Sequence, residues 1–230
     1  MKRFSILFSA ILLAGIPAFA DVFTLQTGDR GWATSTGGFN TVAGNPSPIL
    51  NYFAGIDFSN NAGAELRNWF QFDLSTITGT VVSASLQIDT GTPIFYQTSS
   101  ETFQLTSLPS TFNLSNPGNS FSGLGTGSVY ATQDYNASSA STLTITLDSA
   151  AIADLNNDLS VGTFGLSGRV TTLQQTAPGT ADEALFTYGG GDPTNVELLV
   201  TTTTAAPEPA SVFLFMAGLG ALQMLRRNRQ

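Results

Sequence analysis

Cysteine and histidine are absent from this 230-residue chain, and lysine occurs only at position 2. The first two absences remove thiol and imidazole nucleophiles and the usual zinc ligands. The third removes Schiff-base chemistry from everything beyond the N-terminus. Without cysteine the fold stands without disulfides. Positive charge is almost missing from the body: residues 21–206 hold three arginines (Arg30, Arg67 and Arg169) against fifteen acids, a net −12. A surface this acidic repels phosphate backbones, which excludes nucleic acid as a partner. The remaining cations sit at the two ends: Lys2 and Arg3, then Arg226, Arg227 and Arg229. Long helical periodicity is missing from the body, and so are a phosphate loop, a dinucleotide fingerprint and a nucleophile elbow. No period of 20–50 residues marks a repeat array.

The N-terminus does carry a pattern. Lys2 and Arg3 precede an apolar run from Phe4 to Ile16, Pro17 breaks it, and Ala18-Phe19-Ala20 places small residues at the positions a signal peptidase reads. Residues 1–20 are expected to be a signal peptide, cleaved after Ala20 to leave Asp21 first.

The C-terminus has its own order. Val212 to Leu225 is apolar except for Gln223. A helix over it reaches only roughly 21–24 Å, against the roughly 30 Å hydrocarbon core of a bilayer. Arg226, Arg227 and Arg229 follow directly and would hold that end on the cytoplasmic side. Pro207-Glu208-Pro209, then Ala210 and Ser211, precede the apolar run. This tripeptide, short hydrophobic helix and arginine end resemble the PEP-CTERM sorting signal of Gram-negative bacteria. The resemblance covers residues 204–230. It implies a substrate of an exosortase, a membrane transpeptidase, held transiently in the inner membrane before release to the cell surface or beyond. It also implies an organism that makes exopolysaccharide.

Between these ends the chain is rich in Gly, Ser, Thr and Asn, with short alternating runs bounded by turn residues. Candidate strands are Asp21–Thr27, Ile49–Phe58, Leu66–Leu74, Val81–Asp89, Glu101–Leu108, Thr142–Leu147, Thr163–Val170, Glu183–Tyr188 and Val196–Thr203. One short helix is expected over Ser149–Asn157, capped by Asp148 or Ser149, with Gly162 turning the chain into the next strand. The fold class is therefore all-β: an antiparallel β-sandwich over 21–203 with one short helix. Alternation places Phe70, Phe72 and Leu74 on a core face, and Val82, Ala84, Leu86 and Ile88 on another. Arg67, Trp69, Gln71 and Asp73 fall on the opposite, outer face. The segment RNWFQFDLSTITGTVVSASLQI resembles the core of jelly-roll domains of the DNRLRE type. LDSAAIADLNNDLSVGTFGLSGRVTT, DEALFTYGG and VELLVTTT are similar to the second half of such exported proteins. That resemblance implies a jelly-roll-like sandwich and no activity.

Three constellations bear on chemistry. Trp69 beside Arg67 on an outer face could stack on a sugar ring; equally, Trp69 could lie beneath a loop. Asp154-Leu-Asn-Asn-Asp158 begins like a calcium loop, but Leu159 and Gly165 stand where an EF-hand needs Gly and Glu. An irregular structural Ca²⁺ site stays open, with Asp57, Asp154, Asp158, Asp182 and Asp192 as its pool. A glycosidase needs two placed carboxylates, and nothing in the order of residues singles out a pair. Asn113-Leu-Ser115 and Asn136-Ala-Ser138 fit a glycosylation sequon, which says little in a chain with a bacterial sorting signal. The expected function is that of a non-enzymatic surface or matrix protein, processed by signal peptidase and exosortase and placed near exopolysaccharide. The alternative is a carbohydrate-binding module using Trp69 and Arg67. Most acids are expected to be exposed, since few cations exist to pair with them.

Overall fold

Two-residue periodicity puts a strand's apolar side chains on one face, and burying that face needs a second sheet. The computed structural model realises this with two packed antiparallel layers. It describes residues 20–41, 51–58, 63–91, 93–95, 98–174, 182–186 and 196–204. In chain order the strands are β1 (Ala20–Thr34), β2 (Phe39–Thr41), β3 (Ala54–Asp57), β4 (Ala64–Asp73), β5 (Thr80–Asp89), β6 (Ser100–Ser107), β7 (Val129–Asn136), β8 (Thr142–Thr146), β9 (Thr163–Val170), β10 (Glu183–Leu185) and β11 (Val196–Thr203). Helix α1 spans Ser149–Asp158, and a 3₁₀ helix spans Pro117–Gly123.

The first sheet runs β1-β11-β5-β8 and the second β7-β6-β9-β4-β1. β1 belongs to both. Its first half pairs with β11 from Ala20↔Thr203 to Gln26↔Glu197; its second half pairs with β4 from Thr27↔Phe72 to Thr34↔Leu66. Gly28 is the extra residue at the crossing, where two steps on β1 match one on β4. A bulge bends and twists a strand, and here it carries one chain from layer to layer and nearly closes the sandwich. β2 extends the second sheet beyond β1, while β3 pairs with the first residues of β4 and β10 pairs with β3.

The all-β sandwich expected from the sequence is thus the fold observed. Phe70, Phe72, Leu74, Leu86 and Ile88 are all buried in the main core, as alternation predicted. Tyr52, Phe103, Tyr135 and Phe186 join them as edge-on aromatic contacts, with Phe103 and Phe186 at 4.7 Å. α1 forms where expected. Asp148 is its cap, its carboxylate accepting from Ala151 N at 3.0 Å, and Ala151 and Leu155 turn into the core. Gly162 has φ +85° and turns the chain into β9, while its carbonyl accepts from Leu74 N.

Val82 departs from its expected place. It is 49% exposed, and Val81 is buried instead. Opposite Thr201 and Thr202 of β11 stand Ser83 and Val81, so Val82 is a bulged residue and alternation breaks there. The sequence reading omits β2, β7, the second half of β1 and the 3₁₀ helix, and two of these strands show why. β7 is an edge strand with one apolar-poor face, and the second half of β1 is rich in Gly and charge. Each is a strand because of what it pairs with.

Candidate functional site

Alternation places Arg67 and Trp69 on the outer face of the second sheet, where Trp69 either meets solvent or lies beneath a loop. Trp69 does point away from the main core, but it is 0% exposed. The excursion between β6 and β7, residues 108–128, folds back over this face. Trp69 packs with Ala33, Leu124, Leu108, Phe112 and Phe121 in a second small core, its ring 5.0 Å from that of Phe112. Its Nε1 donates to Asp29 Oδ2 at 3.3 Å, and Thr41 Oγ1 donates to both Asp29 oxygens at 2.9 and 3.1 Å. Arg67 holds the covering segment in place. Its Nη1 donates to the Leu124 carbonyl at 2.9 Å, its Nε pairs with Glu65 at 2.8 Å, and its guanidinium lies 4.5 Å from the centre of the Phe121 ring. Ser167 closes the far end: Gly125 N donates to its Oγ, which donates to the Ser107 carbonyl. Trp69 thus lies beneath a loop, and the alternative of a Trp69–Arg67 sugar contact is corrected. Both side chains are committed to the cover, because an apolar strip on an outer face is stabilised by any segment long enough to reach over it.

The acids separate into different settings. Asp57 and Asp182 lie at the β3–β10 end, where Asp182 Oδ1 accepts from Phe58 N at 2.7 Å. Asp154 and Asp158 lie one turn apart on α1. Tyr130 Oη donates to Asp154 Oδ2 in a short contact, and burial together with that carboxylate pushes the Tyr130 phenol up. Burial first, then the charge of Asp154, pushes the Asp158 carboxyl up. Asp73 sits at a tight turn, and the Ser75 backbone N–H holds its carboxyl below the usual value. Asp192 lies outside the described residues. No group of three or more acids is close enough to hold a metal ion among the described residues. The expectation of mainly exposed acids is corrected: among the described residues only Asp21, Asp73, Asp134 and Asp148 are exposed, and Asp29, Asp57, Glu101 and Glu183 are buried.

Glu101 and Glu183 are the pair that the order of residues did not single out. Each is 1% exposed. Thr98 Oγ1 donates to Glu101 Oε1 at 2.7 Å, and Thr172 Oγ1 donates to Oε2 in a short contact. Gln174 N donates to Glu183 Oε2 at 3.0 Å. One short segment holds both side chains, Thr172 bonding to Glu101 and Gln174 to Glu183, so the two carboxyls are neighbours.

The signal-cleavage and sorting residues divide at the edge of the described region. Ala20 and Asp21 open β1, opposite Thr203 and Thr202 of β11. Ala18, Pro207, Glu208, Pro209, Arg226, Arg227 and Arg229 lie outside the described residues. No helix among the described residues is long and apolar enough to cross a membrane. No protein-family model matches the chain, and no curated protein matches it significantly.

Proposed function

We propose that the protein is exported, sorted by an exosortase, and serves as a non-enzymatic cell-surface or extracellular-matrix protein of an exopolysaccharide-producing Gram-negative bacterium. The observation that carries this reading is the ordered C-terminus: Pro207-Glu208-Pro209, an apolar run too short to span comfortably, and Arg226, Arg227 and Arg229, in a chain that begins with a complete signal-peptide pattern. The fold supports it in one respect. Ala20 and Thr203 are paired neighbours, so the leader and the tail leave the sandwich from the same end of adjacent strands. Signal peptidase and exosortase would both act on short connections beside one membrane, with the body on a single side. Removal of residues 1–20 trims one exposed residue from β1 and leaves the rest of its pairing in place.

Intact-mass measurement of the native cell-surface form tests it. The expected species begins at Asp21 and ends near Pro207. A mature species that retains Arg226–Gln230 overturns the sorting reading.

A second reading, the carbohydrate-binding module, has one observation in its favour once Trp69 is set aside. The outer face of the first sheet aligns Thr24, Leu199, Ser85 and Thr146 in one rank and Gln26, Glu197, Gln87 and Thr144 in the next. Thr24, Thr144 and Thr146 are exposed. Such ranks offer hydroxyl and amide hydrogen bonds to a neutral polysaccharide. A glycan bound in an array, kept by Val161→Ala and lost on Thr144→Asp, would favour this reading. No retained glycan removes it.

A further inference from the structure

The second sheet has a seam. Along one edge of β4, β9 covers Asn68–Asp73 and β3 covers Ala64–Leu66. Further out, β6 lies beyond β9 and β10 beyond β3. Pairing between β9 and β6 ends at Val170↔Phe103. Past it, Thr171 N donates to the Thr102 carbonyl and Thr102 N donates to Thr172 Oγ1. Glu101 is the next residue of β6, and Glu183 is the first residue of β10. Thr172 and Gln174 hold the two carboxyls side by side where one run of strands hands over to the other.

No cation among the described residues explains the burial of these two groups. Glu101 shares the inward face of β6 with Phe103 and Leu105. The three arginines of the body are used elsewhere: Arg67 on Glu65, Arg30 over the Tyr52 ring at 5.5 Å, and Arg169 on Gln104 at 3.2 Å. Glu101 receives donors on both oxygens, as a carboxylate does. Glu183 Oε1 is buried and receives no donor. Two neighbouring buried carboxylates repel strongly, whereas one proton on Glu183 Oε1 turns that orphaned acceptor into a donor that can reach Glu101.

We propose that Glu101 and Glu183 form a one-proton latch across this seam: with the proton they tie β10 to β6, and without it they repel and release the β10 end of the sheet. Burial, then the bond to Glu101, pushes the Glu183 carboxyl from 4.5 up to about 7, while the Gln174 N–H opposes the shift. The fold therefore favours the protonated form. The latch's contribution is complete below the unfolded value and is lost as pH rises through about 7. The other groups around the pair do not supply the missing charge. Thr98 and Thr172 are neutral donors. Tyr135 of β7, directly opposite Glu101, is a phenol that burial pushes up, so it stays neutral throughout. Asp57 of β3 and Asp182 beside Glu183 add only negative charge, and Asp134 of β7 bonds to Thr102. β10 is short, so a local opening here leaves the main core intact. This inference does not depend on the sorting reading.

The test is amide exchange of residues 183–186 in the full chain, corrected for intrinsic rates, at about pH 5.5 and about pH 8.5. Protection in the wild type is expected to fall about tenfold or more between them. In Glu183→Gln the side-chain amide donates to Glu101 at every pH, and protection should be flat. Equal wild-type protection at both values, or a variant that falls like the wild type, overturns the latch. Carboxyl ¹³C titration of the five glutamates decides the matter if the variant fails to fold. One signal titrating near 7 is expected; all five titrating below about 5.5 refutes the shared proton.

Discussion

Replacing Trp69 by alanine separates a buried anchor from an exposed sugar platform by magnitude alone. The side chain is fully buried under Phe112, Phe121 and Leu124, so its removal loses the transfer free energy of a large ring and leaves a cavity. Changes of that kind cost about 3–5 kcal/mol. Against a total stability of about 5–15 kcal/mol this is a large share. With a urea slope of about 2 kcal/mol/M, the unfolding midpoint should fall by about 2 M. Trp69→Phe keeps most of the ring but loses the donor to Asp29. Asp29 still has Thr41, so the expected loss is only about 1–2 kcal/mol. Combining Trp69→Ala with Phe112→Ala should give less than the sum of the single losses. The shortfall is about 0.5–1.5 kcal/mol for rings in contact. Val161→Ala, at a side chain 69% exposed, is the control and should stay within about 0.5 kcal/mol. The assay is urea unfolding followed by far-ultraviolet circular dichroism. If Trp69→Ala also stays within about 0.5 kcal/mol of wild type, residues 108–128 do not cover that face in solution and the correction above is wrong.

Phe72→Ala, at the centre of the main core, should cost about 3–5 kcal/mol in the same assay. Asp148→Ala removes the cap of α1 and should cost about 1 kcal/mol, while Asp148→Asn should recover most of it. Purified residues 21–206, at net −12, should stay dispersed near neutral pH and associate as pH falls to about 4 and the carboxylates protonate. Light scattering across about pH 3.5–8, with and without millimolar Ca²⁺, checks this, and a flat particle size would show that surface charge does not govern association.

Local pattern was enough wherever the physics is local. Alternation in β4 identified Phe70, Phe72 and Leu74 as core, because a pleated strand has only two faces. Good helix formers after Asp148 marked α1, since its cap bond lies within three residues. A chain with no cysteine and nine short apolar runs reads as an antiparallel sandwich on sequence alone. The tertiary structure decided what depends on a partner. Val82 is exposed because β11 offers one residue for two on β5, and no property of Val82 announces that. The second half of β1 is a strand because β4 and β2 pair with it, against its own Gly-rich composition. Sequence placed Trp69 on the outer face correctly, yet only the return of residues 108–128 determines that this face is covered. Glu101 and Glu183 are unremarkable in sequence, each amid threonines, alanines and apolar residues. They become neighbours because the seam in the second sheet brings distant strand ends together away from water, which is the setting of the proposed shared proton.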